Sequence, residues 1–318
     1  MTATALALDH VGLCARELGP MVAAFEALGF TLSPVAQQSG AQQSGAQQSG
    51  AQQSEAQQSG RPTAEAPVVR YATGNRCAFL RHGYIELLAI LEPGLFDNGL
   101  SRFIARHEGL HILALGMDDA DANLARMRLA GIPIPGVAHL ERPVDAPDGP
   151  RAKFSRLPYP DAPEGRLQLI RHLTPELVWQ QRWMDHANQA VALTELLLVS
   201  AEPAMTAARL SRLTGLVIEP RLAGGFVIRL PGGAGVAGPQ APAMETRVAI
   251  LAPEDLPATL PGVDIPALPF MAGFSVQTSD ANAAVRRLLA HLPLVELAQG
   301  ALMVPPAHAA GAALVFHP

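Results

Sequence analysis

The sequence is poor in several residue types, and each shortage excludes something. Only two cysteines occur in 318 residues. Cys14 and Cys77 lie far apart in apolar, strand-like runs, so they read as buried thiols of a reducing compartment and not as a disulfide or a CxxC site. Lys153 is the only lysine among 23 basic residues, which leaves Schiff-base or pyridoxal-phosphate chemistry a single anchor and argues against both. Charged residues make up 16% of the chain, and the net charge is 23 − 28 = −5. Lys and Arg do not cluster as phosphate neutralisation requires, so no nucleic-acid partner is expected. No run of about eighteen apolar residues lacks Pro, Gly or charge, so no membrane span is expected. The N-terminus has no basic stretch ahead of an apolar one, so no signal peptide is expected and the cytoplasm is the default location. There is no GxSxG elbow or phosphate-binding glycine loop, and no Ser-His-Asp triad can be assembled.

What is present is patterned. The length admits one large domain or two of average size, enough to bury a core without disulfides or metals. From Ala36 to Gly60 the pentapeptide Ala-Gln-Gln-Ser-Gly recurs, with Glu55 replacing Gly in one copy. It has no apolar face at any period, so it reads as a disordered loop, a functional Gln-rich tract being the alternative.

Elsewhere a short apolar run leads four times into an amphipathic helix. Leu8–Ala15 precedes a helix with Pro20 in its first turn and Met21, Val22, Phe25 and Leu28 on one face. Leu110–Leu115 precedes a helix capped by Asp118 or Asp119, with Leu124, Met127 and Ile132 on its apolar side. Leu193–Val199 precedes a helix opened by Pro203 and bearing Met205, Leu210 and Leu213. Phe270–Val276 precedes Asp280 and a helix with Val285, Leu288 and Leu289. Spacings of three and four let a helix bury one stripe. Gly29, Gly131 and Gly215 are placed to end the first three helices. Shorter strand candidates follow, including Arg76–Leu80, Tyr84–Ile90, Arg151–Arg156 and Arg166–Ile170. Each unit therefore reads β-α-β-β-β.

Four such units, paired two and two, resemble the vicinal oxygen chelate superfamily. Leu8-Asp-His-Val-Gly-Leu13 resembles its opening strand, and Tyr84-Ile-Glu-Leu-Leu88 its fourth. The run from His172 to Trp179, with His186-Ala-Asn188 after it, is similar to the glyoxalase-like branch. The resemblance implies an α+β fold of four βαβββ modules, paired into two half-open β-barrels with helices outside. It divides the chain into a glyoxalase-like domain over 1–175, a linker over 176–190 and a degenerate second copy over 191–318.

In that fold the first and fourth strands of two units line a cavity, and side chains alternate between cavity and helix side. With Val11, Leu13, Ile85 and Leu87 toward the helices, His10 and Glu86 face inward. Assigning Ile112, Ala114, Leu167 and Leu169 to the outside likewise turns His111 and Gln168 inward. His10, Glu86, His111 and Gln168 would form an N2O2 set for a divalent ion such as Zn, Ni, Fe, Mn or Co, with a metal-free pocket as the alternative. The same strand positions carry the ligands in glyoxalase I, where Glu stands in place of Gln168. That leaves Glu86 as the candidate catalytic base. The second half has residues such as Ser275 and Ala249 in these slots, and His308 and His317 read as surface residues.

The pentad His107-Glu-Gly-Leu-His111 matches HExxH, but Gly109 and the strand-like sequence after it argue against a zinc-protease helix. Five further residues are candidates for substrate contact. Asn75 has the parity of Cys77, although a turn residue would look the same. Arg171 would suit a carboxylate, and His172 shares the parity of Gln168. His186 and Asn188 would form a lid or a packed linker. The expected function is a metal-dependent, glyoxalase-like lyase or isomerase acting on a small oxygenated metabolite. The alternatives are a metal-free binding protein of bleomycin-resistance type and an Fe(II) extradiol-type dioxygenase. The expected partners are a small-molecule substrate and, compatibly with this fold, a second copy in a homodimer.

Overall fold

The computed structural model describes residues 3–41, 68–146, 148–159, 162–239 and 243–318. The first unit consists of β1 (Ala7–Ala15), α1 (Leu18–Ala27), β2 (Ala36–Ala41), β3 (Val68–Phe79) and β4 (Tyr84–Ile90). A short helix, α2 (Leu100–Ile104), leads into the second unit of β5 (Gly109–Gly116), α3 (Ala120–Leu129), β6 (Ala138–Pro143), β7 (Arg151–Tyr159) and β8 (Arg166–His172). After α4 (Pro175–Val178) the pattern returns as β9 (Ala190–Val199), α5 (Pro203–Thr214), β10 (Glu219–Pro220), β11 (Phe226–Leu230) and β12 (Thr246–Leu251). Helix α6 (Leu256–Thr259) separates it from β13 (Phe270–Thr278), α7 (Ala283–Leu288), β14 (Val295–Glu296), β15 (Leu302–Val304) and β16 (Ala313–His317). The four β-α-β-β-β units are thus present in order.

They form two eight-stranded sheets, β2-β3-β4-β1-β5-β8-β7-β6 and β10-β11-β12-β9-β13-β16-β15-β14. In the first, β1 runs antiparallel to β5 at the centre, and each is flanked by the parallel last strand of its own unit. The edge strands β2 and β6 come into contact, so this sheet curls nearly into a barrel. One core lies against the helix side of both sheets, with Val11, Ile85, Leu113 and Leu169 from the first and Leu196, Ile250, Phe274 and Leu314 from the second. Burial of this continuous apolar surface is the main force joining the halves.

Local signals placed the helices well. Asp119 caps α3 by accepting the Ala122 amide at 2.9 Å, and its carboxylate suits a helix N-terminus. Gly29, Gly131 and Gly215 adopt φ of +85°, +71° and +75° just beyond α1, α3 and α5, the conformation that ends a helix cheaply in glycine. Two apolar assignments fail, since Met205 and Leu288 are exposed. The Gln-rich segment also starts differently from expectation. Its first six residues, Ala36–Ala41, are strand β2, paired antiparallel with β3. Backbone pairing, which is indifferent to side-chain polarity, explains this. The rest of the repeat lies outside the described residues.

The decisive detail is a pair of β-bulges. Between β1 and β5 the register skips at Asp9, between the pairs Leu8↔Leu115 and His10↔Ala114. It skips again at His111, between Gly12↔Ile112 and Leu13↔Leu110. Each bulge shifts the inside–outside alternation by one residue. Leu110 and Leu113 therefore both join the core, while Ile112 faces the cavity.

Candidate functional site

The first sheet encloses a cavity of about 150 Å³. β1 contributes His10, β4 contributes Tyr84 and Glu86, β3 contributes Asn75, and β8 contributes Gln168. Val11, Leu13, Ile85, Leu87, Leu167 and Leu169 lie in the core on the opposite side, as strand alternation requires.

His10 is buried and tightly held. Its Nδ1 lies 2.7 Å from Asp9 Oδ1, and its ring stacks on Tyr84 at 4.4 Å between centroids. A carboxylate only accepts hydrogen bonds, so Nδ1 carries the proton and Nε2 presents a lone pair to the cavity. The same Asp9 accepts from His172 Nε2 at 3.0 Å. Burial alone would raise the Asp9 carboxyl, but the field of His172 and hydrogen bonds from both imidazoles hold it down at about 2. Asp9 is therefore a fixed anion, buried with its partners. It reaches both rings because it is the bulge residue of β1. Nothing in the local sequence pattern distinguishes Asp9 from any other polar residue of a strand.

Glu86 faces His10, with 4.0 Å between Glu86 Oε2 and His10 Nε2. Its other oxygen, Oε1, accepts from the Asn75 side-chain amide and from Gln38 Nε2. Asn75 thus holds the carboxylate in place. Gln38, from the strand that begins the Gln-rich repeat, is a second support that sequence reading missed. Burial, with the charge of Asp9 next in order, raises the Tyr84 phenol well above its ordinary value, so it remains an O–H donor.

His111 is not in the cavity wall. The bulge turns it toward α2, where its Nε2–H donates to the His107 carbonyl at 2.8 Å. The ring stacks on His107 at 4.1 Å and on Phe103 at 5.5 Å between centroids. Burial pushes it down to about 4, so it is neutral and structural. Ile112 occupies the position that mirrors His10, since Ile112 pairs with Arg166 as His10 pairs with Tyr84. The expected second imidazole is thus replaced by an aliphatic side chain. The HExxH pentad enters β5 with Gly109 and so does not lie on a helix.

The other candidates divide. His172 supports the site through Asp9. Arg171 is exposed on the outer face of β8, away from the cavity. His186 and Asn188 are buried joints and not a lid. His186 Nδ1 accepts the Thr31 amide, and its Nε2–H donates to the Phe79 carbonyl, both at 3.0 Å. Asn188 donates to the Leu28 carbonyl at 2.9 Å and accepts the Ala190 amide at 3.0 Å.

By their donor chemistry, His10, Glu86 and Gln168 are the residues of this cavity that would hold a divalent ion. His10 Nε2 and Glu86 Oε2 are free toward one cavity. Gln168 Oε1 has a 3.4 Å bond from Arg156 Nη1. A histidine oriented by a buried carboxylate is the usual support for a metal-binding imidazole. One imidazole, one carboxylate and one amide leave coordination positions open, as catalytic centres do. Among the described residues, no group of three or more His, Cys, Asp or Glu side chains gathers as a metal site. The amide of Gln168 is therefore essential to any such set.

The second sheet has its own hollow, lined by Glu195, Arg247, Ser275 and His317. His317 is half-buried there, bonded to Thr194 Oγ1 at 2.8 Å, and so is not a plain surface residue.

Comparison with known proteins bears on the fold. A hypothetical protein from Staphylococcus aureus matches with a TM-score of 0.56 at 11% identity, covering 98% of this chain and 99% of that one. A variant of 4-hydroxymandelate synthase from Streptomyces coelicolor matches with a TM-score of 0.52 at 12% identity, over 98% and 92% of the two chains. A Mn(II)-bound glyoxalase from Novosphingobium aromaticivorans matches with a TM-score of 0.51 at 12% identity, over 99% and 82%. At these identities the likeness is one of fold. Among curated proteins no sequence matches. The model of the glyoxalase-like domain family matches residues 8–214, nearly two thirds of the sequence and both units that build the cavity. The chain belongs to the glyoxalase-like domain family, on the vicinal oxygen chelate fold.

Proposed function

We propose that this protein is a glyoxalase-like enzyme of lyase or isomerase type, moving a proton on a small oxygenated metabolite. The observation that carries the reading is the line Asp9–His10–Glu86. Asp9 fixes the His10 ring at 2.7 Å, and His10 Nε2 faces Glu86 Oε2 at 4.0 Å across one cavity wall.

Removing a proton from carbon next to a carbonyl requires a positioned base and a donor for the oxygen. Glu86 is the base. Asn75 and Gln38 occupy its Oε1, which leaves Oε2 for the substrate proton. Tyr84, kept protonated by burial, is a donor toward a substrate oxygen. Ile112 and Ile170 add apolar surface to the cavity that holds the carboxylate. A divalent ion held by His10 Nε2, Gln168 Oε1 and one lone pair of Glu86 Oε2 would supply Lewis-acid polarisation of a carbonyl oxygen, the other lone pair of Oε2 remaining for the substrate proton. The dioxygenase alternative is the weaker one, because its two-histidine, one-carboxylate set needs an imidazole where Ile112 stands.

Incubation in deuterium oxide tests the reading. Small 2-oxo acids and the hemithioacetal of a 2-oxoaldehyde are followed by proton NMR for loss of the C–H signal beside the carbonyl. The wild type should exchange at least one of them, and Glu86→Gln should slow exchange by about 100-fold or more. Absence of exchange above buffer throughout, with and without added divalent metal, overturns the reading. Saturable binding without exchange would point to the sequestering alternative.

A further inference from the structure

The wall opposite His10 and Glu86 contains an arrangement that proton transfer does not use. β6, β7 and the start of β8 bring Arg142, Arg156 and Arg166 to the same cavity. Among the described residues, none of the three is in an ion pair with a carboxylate. Two carboxylates line the cavity, and among the described residues neither is in an ion pair with these arginines. Glu86 Oε1 is held by amides, and Glu141 pairs with Arg151.

Arg156 is the telling residue. Its Nε is buried without a hydrogen-bond partner. Among the described residues its one hydrogen bond is the 3.4 Å contact of Nη1 with Gln168 Oε1. Arg166 is braced by the Asn98 carbonyl at 2.8 Å and lies over the Phe103 ring, 5.7 Å from its centroid. Arg142 lies over Phe154 at 6.0 Å. Carbonyls and ring faces orient a guanidinium without neutralising it. A guanidinium does not give up its proton in a protein, so Arg156 carries its charge into the cavity. A buried, unpaired charge is costly. The natural relief is an anion, and the guanidinium of Arg156, which lines the cavity, offers N–H donors to the oxygens of one oxyanion.

We infer that the substrate is a small oxyanion, whose carboxylate or phosphate is anchored by Arg156 with Arg166 and Arg142 around it, while its reacting carbon lies toward Glu86. A volume of about 150 Å³ holds a short carbon skeleton. Leu140, Ile112 and Ile170 supply apolar contact for that skeleton. This extends the proton-transfer reading to a substrate class, and the anion site stands on observations of its own.

Calorimetric titration of the full chain tests the inference with matched pairs, 2-oxobutyrate against 2-butanone and lactate against propane-1,2-diol, and with inorganic phosphate as a separate arm. The anions should bind saturably, and their neutral twins at least about 10-fold more weakly. Arg156→Gln should weaken anion binding about 10- to 100-fold, and Arg156→Lys, which keeps the charge and loses the fork, by less. Tighter binding of phosphate than of the carboxylates assigns the oxyanion to a phosphate ester, and the reverse to a carboxylic acid. Without ligand, Arg156→Gln should melt no lower than wild type, because it removes an unpaired charge. The inference is overturned if the neutral twins bind equally, if Arg156→Gln binds anions as wild type does, if no anion binds, or if Arg156→Gln melts lower. Glu86→Gln separates the two proposals. It should lose exchange yet bind the anions at least as tightly as wild type, so anion binding with no wild-type exchange sinks the proton-transfer reading alone.

Discussion

Acid should loosen the joint that ties the segment after β8 to the first sheet, through one histidine. His186 accepts the Thr31 amide at Nδ1 and donates to the Phe79 carbonyl from Nε2, each at 3.0 Å. Protonation would set an N–H against the Thr31 N–H and bury a charge. Burial therefore lowers this imidazole from 6.5 to about 4, against weaker opposing effects of the Phe79 carbonyl and Asp185. A depressed value means that the folded chain binds fewer protons than the unfolded one. The contribution is complete above about pH 6.5 and declines as the pH falls toward about 4. Linkage gives a loss of about 2 kcal/mol by about pH 5, approaching about 3 kcal/mol near pH 4. His186→Gln has no such titration. Urea unfolding followed by circular dichroism should find the variant less stable than wild type at neutral pH, with the gap narrowing by about 2 kcal/mol on going to about pH 5. His111, also depressed to about 4, titrates in both proteins and cancels in the difference. A gap constant to within about 0.5 kcal/mol over this range refutes the assignment of His186 as a neutral joint.

Other perturbations test the register and the buried carboxylate. Ile112→His places an imidazole at the mirror position of His10 and should tighten Zn²⁺ or Mn²⁺ binding at least ~10-fold in equilibrium dialysis. His111→Ala should leave metal binding unchanged while lowering stability by ~1–3 kcal/mol, since its partners are the His107 carbonyl and stacked rings. Gly12→Ala would set a Cβ 2.7 Å from the Ile112 side chain and should cost about 1–3 kcal/mol in denaturant unfolding. Asp9→Asn replaces the acceptor of both His10 and His172. It should cost about 2 kcal/mol or more at neutral pH and shift the His10 ring nitrogen signals in ¹⁵N NMR as Nδ1–H loses its charged partner.

Architecture was legible in the sequence because it rests on many redundant, local signals. Each unit had an apolar strand and a helix stripe at three- and four-residue spacing, and three of the four had a glycine stop, so no single misreading changed the fold. The site depended on parity at individual residues, where one bulge inverts the answer. His10, Glu86 and Gln168 lie on strand segments whose alternation is regular, and they face the cavity. His111 sits on a bulge, which alternation rules do not anticipate. A signal was nevertheless available. Aligning Leu8-Asp-His-Val-Gly-Leu13 with Leu110-His-Ile-Leu-Ala-Leu115 by their leucines sets His111 opposite Asp9 and Ile112 opposite His10. The repeat itself thus marks both bulge residues and the missing imidazole. The arginines were harder to read. Arg142, Arg156 and Arg166 come from three strands of the second unit, and only the pairing of β6 with β7 and of β7 with β8 brings them together. Arg171 was the natural candidate from sequence, yet strand alternation sends it outside.

The two sheets make a natural control for what an open site requires. In the second sheet Glu195 pairs with Arg247 across β9 and β12, in the register that His10 and Tyr84 occupy across β1 and β4. Leu197 and Ala249 take the places of Gly12 and Glu86. Glu195 is bound by Arg247 at 2.7 and 3.3 Å, and Ser275 adds a contact at 3.4 Å. There the charge of Glu195 is neutralised by the arginine beside it. The first cavity does the reverse. It fixes Asp9 as an anion between two imidazoles, leaves His10 Nε2 and Glu86 Oε2 free, and buries the Nε of Arg156 without a partner. Unpaired buried groups oppose folding, so a duplicated scaffold under no other demand is expected to pair them off, as the second sheet has. At the first cavity Arg156 Nε and His172 Nδ1 are buried without a hydrogen-bond partner, whereas Glu195 and Arg247 at the second satisfy each other.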